Sequence, residues 1–370
     1  MDTHALINLE AIRNNCRKLS QFAGQPVLAP IKAGGYGHGA AAVGLALEAD
    51  PSTNCVGFAV ATAFEVFELR AAGIALPVVL LTPPAQNDLA KLIKEDSSFV
   101  VSSIEEVQSL QSEAHSQNLR VKVHLKINTG LNRLGARSED AAQVLLELAR
   151  CSNLILEGVM THLIDSEDFN PEHATLQIER FSAFLGAHKP DARYFHAANT
   201  GGVMNRELGA HFNLVRPGIG LYGYAPGPDM NGIIDLEPAM TLRARVIFVK
   251  DVKAGEVTSY NATWTATKDT RLATIRLGYA DGYPRALSNK AGMILNNRVV
   301  PVAGRICMDQ TLLEIADLDV TVGDQAIVFG PGEITAETIA GLAQTNSYEI
   351  LTGIGARVQR LYICEPSIIK

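Results

Sequence analysis

The sequence from Val27 to Gly39 reads VLAPIKAGGYGHG and places one lysine between a buried strand and a helix. The apolar run Val27–Ile31 predicts the strand, and the alanine-rich segment 39–48 predicts the helix. At such a junction the amine of Lys32 is partly desolvated, and backbone N–H groups at the helix start can hold an anion. Lys32 is therefore a candidate Schiff-base lysine. Taken alone, the segment fits a turn whose lysine reaches solvent equally well.

Short apolar runs alternate with helical stretches from Val27 to about residue 223. The runs that we predict to be strands are Val27–Ile31, Cys55–Val60, Val78–Leu81, Phe99–Ser102, Val121–Asn128, Ile155–His162, Tyr194–Ala197 and Asn213–Tyr222. Continuous apolar strands separated by helices are typical of a parallel sheet that is covered on both faces. Eight such units within about 200 residues favour a closed (β/α)8 barrel. An open doubly wound sheet is the alternative, but no GxGxxG motif follows the first strand.

The second part of the chain differs in composition from the first. Residues 225–238 are rich in proline and glycine and predict a linker. Beyond them short strand-like runs predominate, and a single helix is predicted over Thr335–Ala343. We therefore predict an α/β protein with an N-terminal (β/α)8 TIM-like barrel over residues 1–230 and a C-terminal mainly-β domain over residues 231–370. A length of 370 residues suits a barrel plus a smaller domain.

Composition excludes several classes of partner. The net charge of −7 argues against nucleic acid and acidic membranes, because both attract basic surfaces. No apolar run approaches the ~20 residues of a membrane span, and the N-terminal segment does not resemble a signal peptide. The five cysteines are scattered without a CxxC pair, so neither a disulfide framework nor a metal site is predicted. These features predict a cytoplasmic protein.

Polar and charged residues cluster where the predicted barrel strands end. They are Lys32 after the first strand, Lys126, Asn128 and Arg133 at and after the fifth, His162 at the sixth, Asn199 and Thr200 after the seventh, and Arg216 in the eighth. The carboxyl ends of the strands form one rim of a barrel, and barrel enzymes place their active sites there. The sequence therefore predicts a catalytic site on this rim.

Seven motifs, in the same order along the chain, resemble those of the alanine racemase family, whose members use pyridoxal phosphate. In the barrel part the motifs are residues 32–39 (KAGGYGHG), 126–135 (KINTGLNRLG), 196–200 (HAANT) and 215–219 (VRPGI). In the β part they are residues 259–263 (SYNAT), 278–282 (GYADG) and 304–310 (GRICMDQ). The resemblance extends over nearly the whole chain, from Lys32 to Arg360.

The resemblance implies a homodimeric isomerase that interconverts L- and D-alanine at two shared active sites. Each site would combine one barrel with the β domain of the other subunit. Lys32 would hold the cofactor covalently and act as one catalytic base, and Tyr260 of the other subunit would act as the opposite base. Because a free phenol has a pKa of about 10, a neighbour must favour its anion. His162, coupled to Arg216, is the candidate for this neighbour.

The resemblance also assigns the other contacts of cofactor and substrate. Arg216 would face the pyridine nitrogen, which should stay unprotonated because an arginine keeps its own proton. The remaining cofactor-binding residues would be Tyr36, Asn199, Thr200, Gly218, Ile219 and Tyr348. The substrate-binding residues would be Arg133, Met308 through its backbone, Tyr279 and Asp309. Lys126 would be carbamylated and would orient Arg133, the alternative being an unmodified lysine paired with an acidic neighbour.

Three other functions compete with this interpretation. A racemase for serine, or one with a broad substrate range, is the main competitor. An amino-acid decarboxylase can be built on a similar plan, but it is expected to lack the Tyr260 segment and the segment 307–309 in this form. A non-catalytic cofactor carrier resembles the barrel alone, and the long β part with its own motifs disfavours it.

Overall fold

The computed structural model describes residues 2–168 and 170–364, and these form two compact units. The barrel unit contains Ile12–Gly35 and Ala40–Leu236. The β unit contains the chain up to Ala11, the short segment Tyr36–Gly39, and the chain from Glu237 onward. The first strand, β1 (His4–Asn8), therefore belongs to the β unit although it begins the chain. The sequence analysis did not anticipate this strand.

The barrel unit is built on seven parallel strands that pair in chain order. They are β2 (Val27–Pro30), β3 (Cys55–Val60), β4 (Val78–Leu80), β5 (Ser97–Val101), β6 (Val121–Lys126), β7 (Leu154–Met160) and β8 (Tyr194–His196). A buried apolar cluster in this unit contains Leu28, Ala59, Val79, Val100 and Met160 of these strands together with Leu214. The predicted parallel sheet is confirmed, and seven of the eight predicted strands lie close to their predicted positions. Strands that are buried on both faces are apolar throughout, which makes them recognisable in the sequence.

The eighth strand is shorter than predicted. A strand was predicted over Asn213–Tyr222, but within this segment only Val215 forms a β-bridge, with Val27. Asn213 donates to the carbonyl of Phe195 at 3.3 Å, so this segment bonds to both edges of the seven-stranded sheet. Pro217 follows directly, and a proline has no N–H to continue the ladder. The chain then turns into a 3-10 helix over Ile219–Tyr222.

One helix precedes the barrel strands in the chain, and each of the others follows one of these strands. The helices are α1 (Leu9–Ala23), α2 (Ala40–Glu48), α3 (Ala63–Ala71), α4 (Gln86–Lys94), α5 (Ile104–Ser116), α6 (Ser138–Leu148), α7 (Glu172–His188) and α8 (Thr200–Met204). Two of them start with the N-capping side chains Thr62 and Ser103, which accept from backbone N–H groups three residues later. None of the helices in the described ranges is long and apolar enough to cross a membrane.

The β unit is organised around one long central strand, β9 (Met240–Val252). The other strands are β10 (Val257–Thr258), β11 (Trp264–Thr265), β12 (Thr270–Ile275), β13 (Gly292–Leu295), β14 (Arg298–Pro301), β15 (Thr311–Glu314), β16 (Gln325–Phe329) and β17 (Gln359–Ile363). Strand β1 lies between β9, to which it is antiparallel, and β17, to which it is parallel. The predicted mainly-β character is confirmed. Besides the expected helix, here α9 (Ala336–Ala343), the unit contains α10 (Ser347–Thr352), which was not predicted.

Candidate active site

Four positive side chains form a cationic cluster in the barrel unit: Lys32, Lys126, Arg133 and Arg216. Lys32 follows β2, Lys126 ends β6, and Arg133 lies in the loop after β6. Burial lowers the pKa of Lys126 to about 8, and the positive charges of Arg216, Arg133 and Lys32 add to this effect. Like charges at close range raise the free energy of the charged form. The cluster is therefore suited to bind an anion.

The amine of Lys32 is held in an environment that favours its neutral form. Burial lowers the pKa of Lys32, and the charge of Arg133 lowers it further, whereas Glu65 raises it. The buried carboxylate of Glu65 accepts from the backbone N–H of Ala33 at 2.5 Å and of Ala61 at 2.7 Å. Glu65 thus fixes the residue that follows Lys32. The sequence analysis missed Glu65, whose TxxE spacing from Thr62 indicates only a helix cap.

The chain after Lys32 forms a left-handed turn. Residues Ala33, Gly34, Gly35 and Tyr36 all have positive φ angles, between 52° and 63°. Gly34 and Gly35 adopt this conformation without steric cost, because they have no Cβ. The Gly35 N–H donates to the carbonyl of Ile31 at 2.8 Å and closes the turn. Two adjacent glycines therefore match the backbone that the lysine motif adopts here.

A tight loop after β6 carries Arg133. The N–H of Ala136 donates to the carbonyl of Lys126 at 2.9 Å, and the N–H of Asn128 donates to the carbonyl of Ala136 at 2.7 Å. The side-chain oxygen of Asn128 accepts from two N–H groups within the loop, those of Gly130 and Asn132. Asn128 is thus engaged in shaping the loop. The side chain of Arg133 is exposed.

Arg216 lies at the inner end of the cationic cluster and is almost fully buried, with 4% of its surface exposed. Its guanidinium donates to the carbonyl of Thr161 at 2.7 Å and to the carbonyl of Ala197 at 3.1 Å. It also contacts Nδ1 of His196 at 2.6 Å and Nδ1 of His162 at 3.4 Å. Burial and the charges of Arg216, Arg133 and both cluster lysines hold the pKa of His162 well below its ordinary value. His162 is therefore neutral at pH 7.

Several hydrogen-bond donors are available in the segments that follow β8, namely the hydroxyl of Thr200 and the backbone N–H groups of Gly218 and Ile219. Thr200 is buried, and its hydroxyl oxygen accepts from the N–H of Gly220 at 3.2 Å, so its own proton remains available. The N–H groups of Gly218 and Ile219 have no acceptor within residues 2–168 and 170–364. Asn199 caps α8: its side-chain oxygen accepts from Gly202 at 2.9 Å and from Ser166 at 2.7 Å. Asn199 thus supports the segment around Thr200.

Two predicted cofactor-binding tyrosines, Tyr36 and Tyr348, lie close together in the β unit. The rings of Tyr36 and Tyr348 lie 6.1 Å apart at an angle of 46°. Burial raises the pKa of Tyr36 to about 12, so its phenol keeps the proton and can donate it in a hydrogen bond. Arg360 fixes the neighbouring backbone by donating to the carbonyl of Gly37 at 3.1 Å and to the carbonyls of Ile354, Gly355 and Val358. The sequence analysis did not assign Arg360 this role, which depends on contacts between distant segments.

A cleft of about 380 Å³ in the β unit brings together three of the other predicted residues, Tyr260, Met308 and Asp309. It is lined by Ser259, Tyr260, Cys307, Met308, Asp309 and Gln310. The side chain of Tyr260 is 69% exposed, in a loop where the φ angles of its neighbours Ser259 and Asn261 are positive. Ser259 anchors this loop by donating to the carbonyl of Arg305 at 2.6 Å. Tyr260 is thus presented on an exposed surface.

The wall of this cleft is fixed by backbone and charge contacts. The N–H of Tyr279 donates to the carbonyl of Cys307, and the N–H of Ala280 donates to the carbonyl of Met308, both at 3.0 Å. The carboxylate of Asp309 pairs with Arg357 at 2.7 Å. The N–H of Met308 has no acceptor in the described part of the chain, so it remains a free donor. Asp309 thus acts through Arg357 in shaping the wall.

The fold and these two groups of residues define a class of protein with a β/α barrel unit, a mainly-β unit, and a lysine of lowered pKa directly after the first barrel strand. The family model of the alanine racemase N-terminal domain matches residues 7–226, and that of the C-terminal domain matches residues 239–362. The chain therefore belongs to the alanine racemase family.

Individual relatives resemble the chain over nearly its whole length. It is 39% identical to alanine racemase of Deinococcus deserti, with 97% of this chain and 98% of the relative covered. It is 40% identical to alanine racemase of Deinococcus radiodurans, with 96% and 97% covered. Among solved structures, alanine racemase of Clostridium difficile 630 has a TM-score of 0.94 and 33% identity, with 100% of this chain and 98% of that chain covered.

Proposed function

We propose that this protein interconverts L- and D-alanine with bound pyridoxal phosphate. The observation that carries the proposal is the half-buried Lys32, with its lowered pKa, within a cluster of positive charges, in a chain that belongs to the alanine racemase family. Alanine is the substrate in the names of the relatives. A free lysine amine with a lowered pKa reacts readily with an aldehyde.

The residues of the barrel unit suit the chemical groups of this cofactor. Its phosphate dianion matches the hydroxyl of Thr200 and the free N–H groups of Gly218 and Ile219, in a cluster that carries excess positive charge. Its aldehyde would react with the amine of Lys32, and its ring nitrogen would accept a hydrogen bond from an N–H of Arg216. When bound, pyridoxal phosphate withdraws electrons from the α-carbon of the amino acid and so acidifies the α-proton. Tyr36 and Tyr348 complete the proposed phosphate ligands.

Racemisation requires one proton acceptor on each face of the α-carbon. We assign one face to Nζ of Lys32, whose lowered pKa favours its neutral, proton-accepting form. We assign the other face to Tyr260 of the partner subunit, because its phenol is exposed in the cleft that also contains Met308 and Asp309. The proposed homodimer therefore has two sites, each using residues of both subunits.

His162 is the group that we propose to favour the phenolate of the partner's Tyr260. The guanidinium of Arg216 only donates, so the Nδ1 atom of His162, 3.4 Å away, must be the acceptor. Neutral His162 then carries its proton on Nε2. A fixed N–H donor stabilises a phenolate more than a phenol, and it lowers the pKa of the tyrosine that it contacts.

Arg216 and the substrate ligands determine what the reaction yields. Arg216 would hold the ring nitrogen of the cofactor by donating an N–H to it while keeping its own proton, and a ring held in this way would disfavour transamination. We propose that Arg133 and the free N–H of Met308 bind the substrate carboxylate. Tyr279 and Asp309 would narrow the entrance, which favours a methyl side chain over larger ones. Serine remains the alternative substrate, because its side chain is only one hydroxyl larger.

We further propose that Lys126 is carbamylated. At a pKa of about 8, part of its amine is neutral at pH 7 and can add CO2. The carbamate would replace one positive charge of the cluster by a negative one and orient Arg133. With 13C-bicarbonate, we expect a carbamate signal in the 13C NMR spectrum that grows between roughly pH 6.5 and 8.5, as the amine loses its proton.

The matched control for this prediction lies on the same strand. Lys126→Met should abolish the signal, whereas Lys122→Met should retain it. A wild-type protein without the signal, or a Lys126→Met variant that keeps it, would show that Lys126 is unmodified.

A cytoplasmic location belongs to the same proposal. The five cysteines are all free, as is typical of proteins from a reducing compartment.

The function is tested with L-alanine in D2O containing purified protein and pyridoxal phosphate. We expect the α-proton signal to disappear in the NMR spectrum while the optical rotation decays to zero without a new product. The same assay on serine compares the two substrates. Unchanged alanine would refute the proposed substrate, and release of CO2 from any amino acid would indicate a decarboxylase.

A further inference from the structure

Arg216 is buried without a carboxylate partner of its own. In the ranges 2–168 and 170–364 no carboxylate lies within ion-pair distance of its guanidinium, which contacts only carbonyls and histidines. A buried charge is costly unless polar groups compensate it. Other polar groups must therefore compensate the buried charge of Arg216.

A chain of side chains connects Arg216 to a carboxylate inside the barrel unit. Nδ1 of His196 lies 2.6 Å from the Arg216 guanidinium, and Nε2 of His196 lies 2.9 Å from Nδ1 of His124. Nε2 of His124 in turn lies 3.3 Å from the carboxylate of Glu157. The two imidazole rings are perpendicular, and both histidines are buried. We call these four residues the histidine relay.

The two ends of the histidine relay determine where its protons lie. Arg216 only donates, so Nδ1 of His196 must be unprotonated, and its Nε2 must carry the proton. That proton points to Nδ1 of His124, which must also be an acceptor. The remaining proton of His124 is therefore on Nε2 and points to Glu157, which as a carboxylate only accepts. Every hydrogen bond in the relay runs in one direction, from Arg216 to Glu157, and both histidines are neutral.

The backbone of β7 is adapted to hold this arrangement. The register between β6 and β7 pairs Val123 with Leu156 and His124 with Gly158, so Glu157 is an extra residue in a β-bulge. Bulges redirect side chains. A Cβ on Gly158 would lie 2.2 Å from Nδ1 of His124, so only glycine leaves space for the imidazole ring. Both features serve the placement of His124 and Glu157.

Glu157 remains a carboxylate in this position. Burial raises its pKa, whereas the hydrogen bond from His124 and the charge of Lys122, 3.8 Å away, lower it. Ser98 adds a hydrogen bond at 3.4 Å.

We propose that Glu157 is a positioning residue that acts through His124 and His196 to hold Arg216 as a donor toward the cofactor. The inference deepens the proposed function and rests on it. Without the negative charge of Glu157, His124 can move its proton to Nδ1. His196 would then turn an N–H toward Arg216, and the guanidinium would lose its placement.

The first test observes the protons directly in the cofactor-loaded protein. With 15N-labelled histidine, long-range 1H–15N NMR distinguishes the two tautomers, and His124→Gln and His196→Gln spectra assign the signals. We expect both histidines to carry their proton on Nε2 in the wild-type protein. In Glu157→Gln we expect a second tautomer to appear. A protonated Nδ1 on His196 in the wild-type protein, or unchanged signals in Glu157→Gln, would overturn the inference.

The second test separates positioning from folding. Glu157→Gln should lower kcat by roughly three- to tenfold, the loss of one charge-assisted contact, with KM for alanine within about twofold. The absorbance maximum of the bound cofactor should shift as well. Glu157→Asp, which keeps the charge, should restore part of kcat, and the control Glu147→Gln, on helix α6, should match the wild-type protein. Equal kcat and spectra for Glu157→Gln and wild type would contradict the proposal.

The two tests also distinguish this inference from the proposed function. If the wild-type protein does not racemise alanine, the function fails, but the tautomers of His124 and His196 still report whether the relay exists. If the Glu157→Gln variant unfolds, the Glu157→Asp variant is measured in its place. Tautomers of His124 and His196 and a kcat near the wild-type values would then support the relay. Altered tautomers with an unchanged kcat would reject it.

Discussion

Replacement of Lys32 by alanine is expected to abolish alanine racemisation, with a loss in kcat of about 10⁴-fold or more. The variant loses both the covalent attachment of the cofactor and one of the two proton acceptors. Glu65 should keep its place, because its carboxylate accepts from the backbone N–H of Ala33 at 2.5 Å and of Ala61 at 2.7 Å. The measurement is the decay of the optical rotation of L-alanine.

The control variant is Lys94→Ala, on the exposed end of helix α4, which should racemise alanine at the wild-type rate. Treatment of the loaded wild-type protein with borohydride should fix the cofactor on the peptide that contains Lys32. A cofactor found on another lysine, or a Lys32→Ala variant that racemises at more than about a hundredth of the wild-type rate, would refute the role of Lys32.

Replacement of Tyr260 by phenylalanine is expected to lower racemisation by about 10³-fold, the typical contribution of a catalytic base. The loss should be asymmetric, because Lys32 still removes the proton from one face of the α-carbon. In D2O one enantiomer of alanine should therefore exchange its α-proton without inversion, and the other should not exchange. NMR combined with chiral chromatography measures both quantities.

Tyr194→Phe is the matched control, since Tyr194 is a tyrosine of the barrel unit outside the proposed site. It should leave racemisation unchanged. If Tyr260→Phe slows exchange of both enantiomers equally, the tyrosine does not serve one face alone, and the assignment of two bases is wrong.

The sequence predicted the barrel strands because their burial leaves a direct signal. Runs such as Cys55–Val60 are apolar throughout, and the structure has the same bounds. Strand β1 carried no such signal: it has only five residues, and it is stabilised by pairing with β9 and β17, which lie more than 230 residues away. The predicted eighth strand was too long, because the apolar residues after Pro217 form a 3-10 helix and do not continue a strand.

The sequence pointed to a candidate site residue only where a charged or reactive side chain stands in a recognisable motif. Lys32, Lys126 and Arg216 stand in quoted motifs, and the structure places them in one cluster. Glu65 and Glu157 could not be found in this way, since they contact residues that lie 32 and 33 positions away in the chain. A glycine within a strand, as at Gly158, is a weak indication of a close approach by a neighbouring side chain.

The measurement that tests the account most directly is the activity of a mixed dimer. One subunit carries Lys32→Ala and the other Tyr260→Phe, with different affinity tags, so that the mixed dimer can be purified. If each site combines Lys32 of one subunit with Tyr260 of the other, one of the two sites is intact, and the mixed dimer should have about half the wild-type activity. Each homodimer should be inactive. A mixed dimer as inactive as its parents would contradict a site shared between subunits.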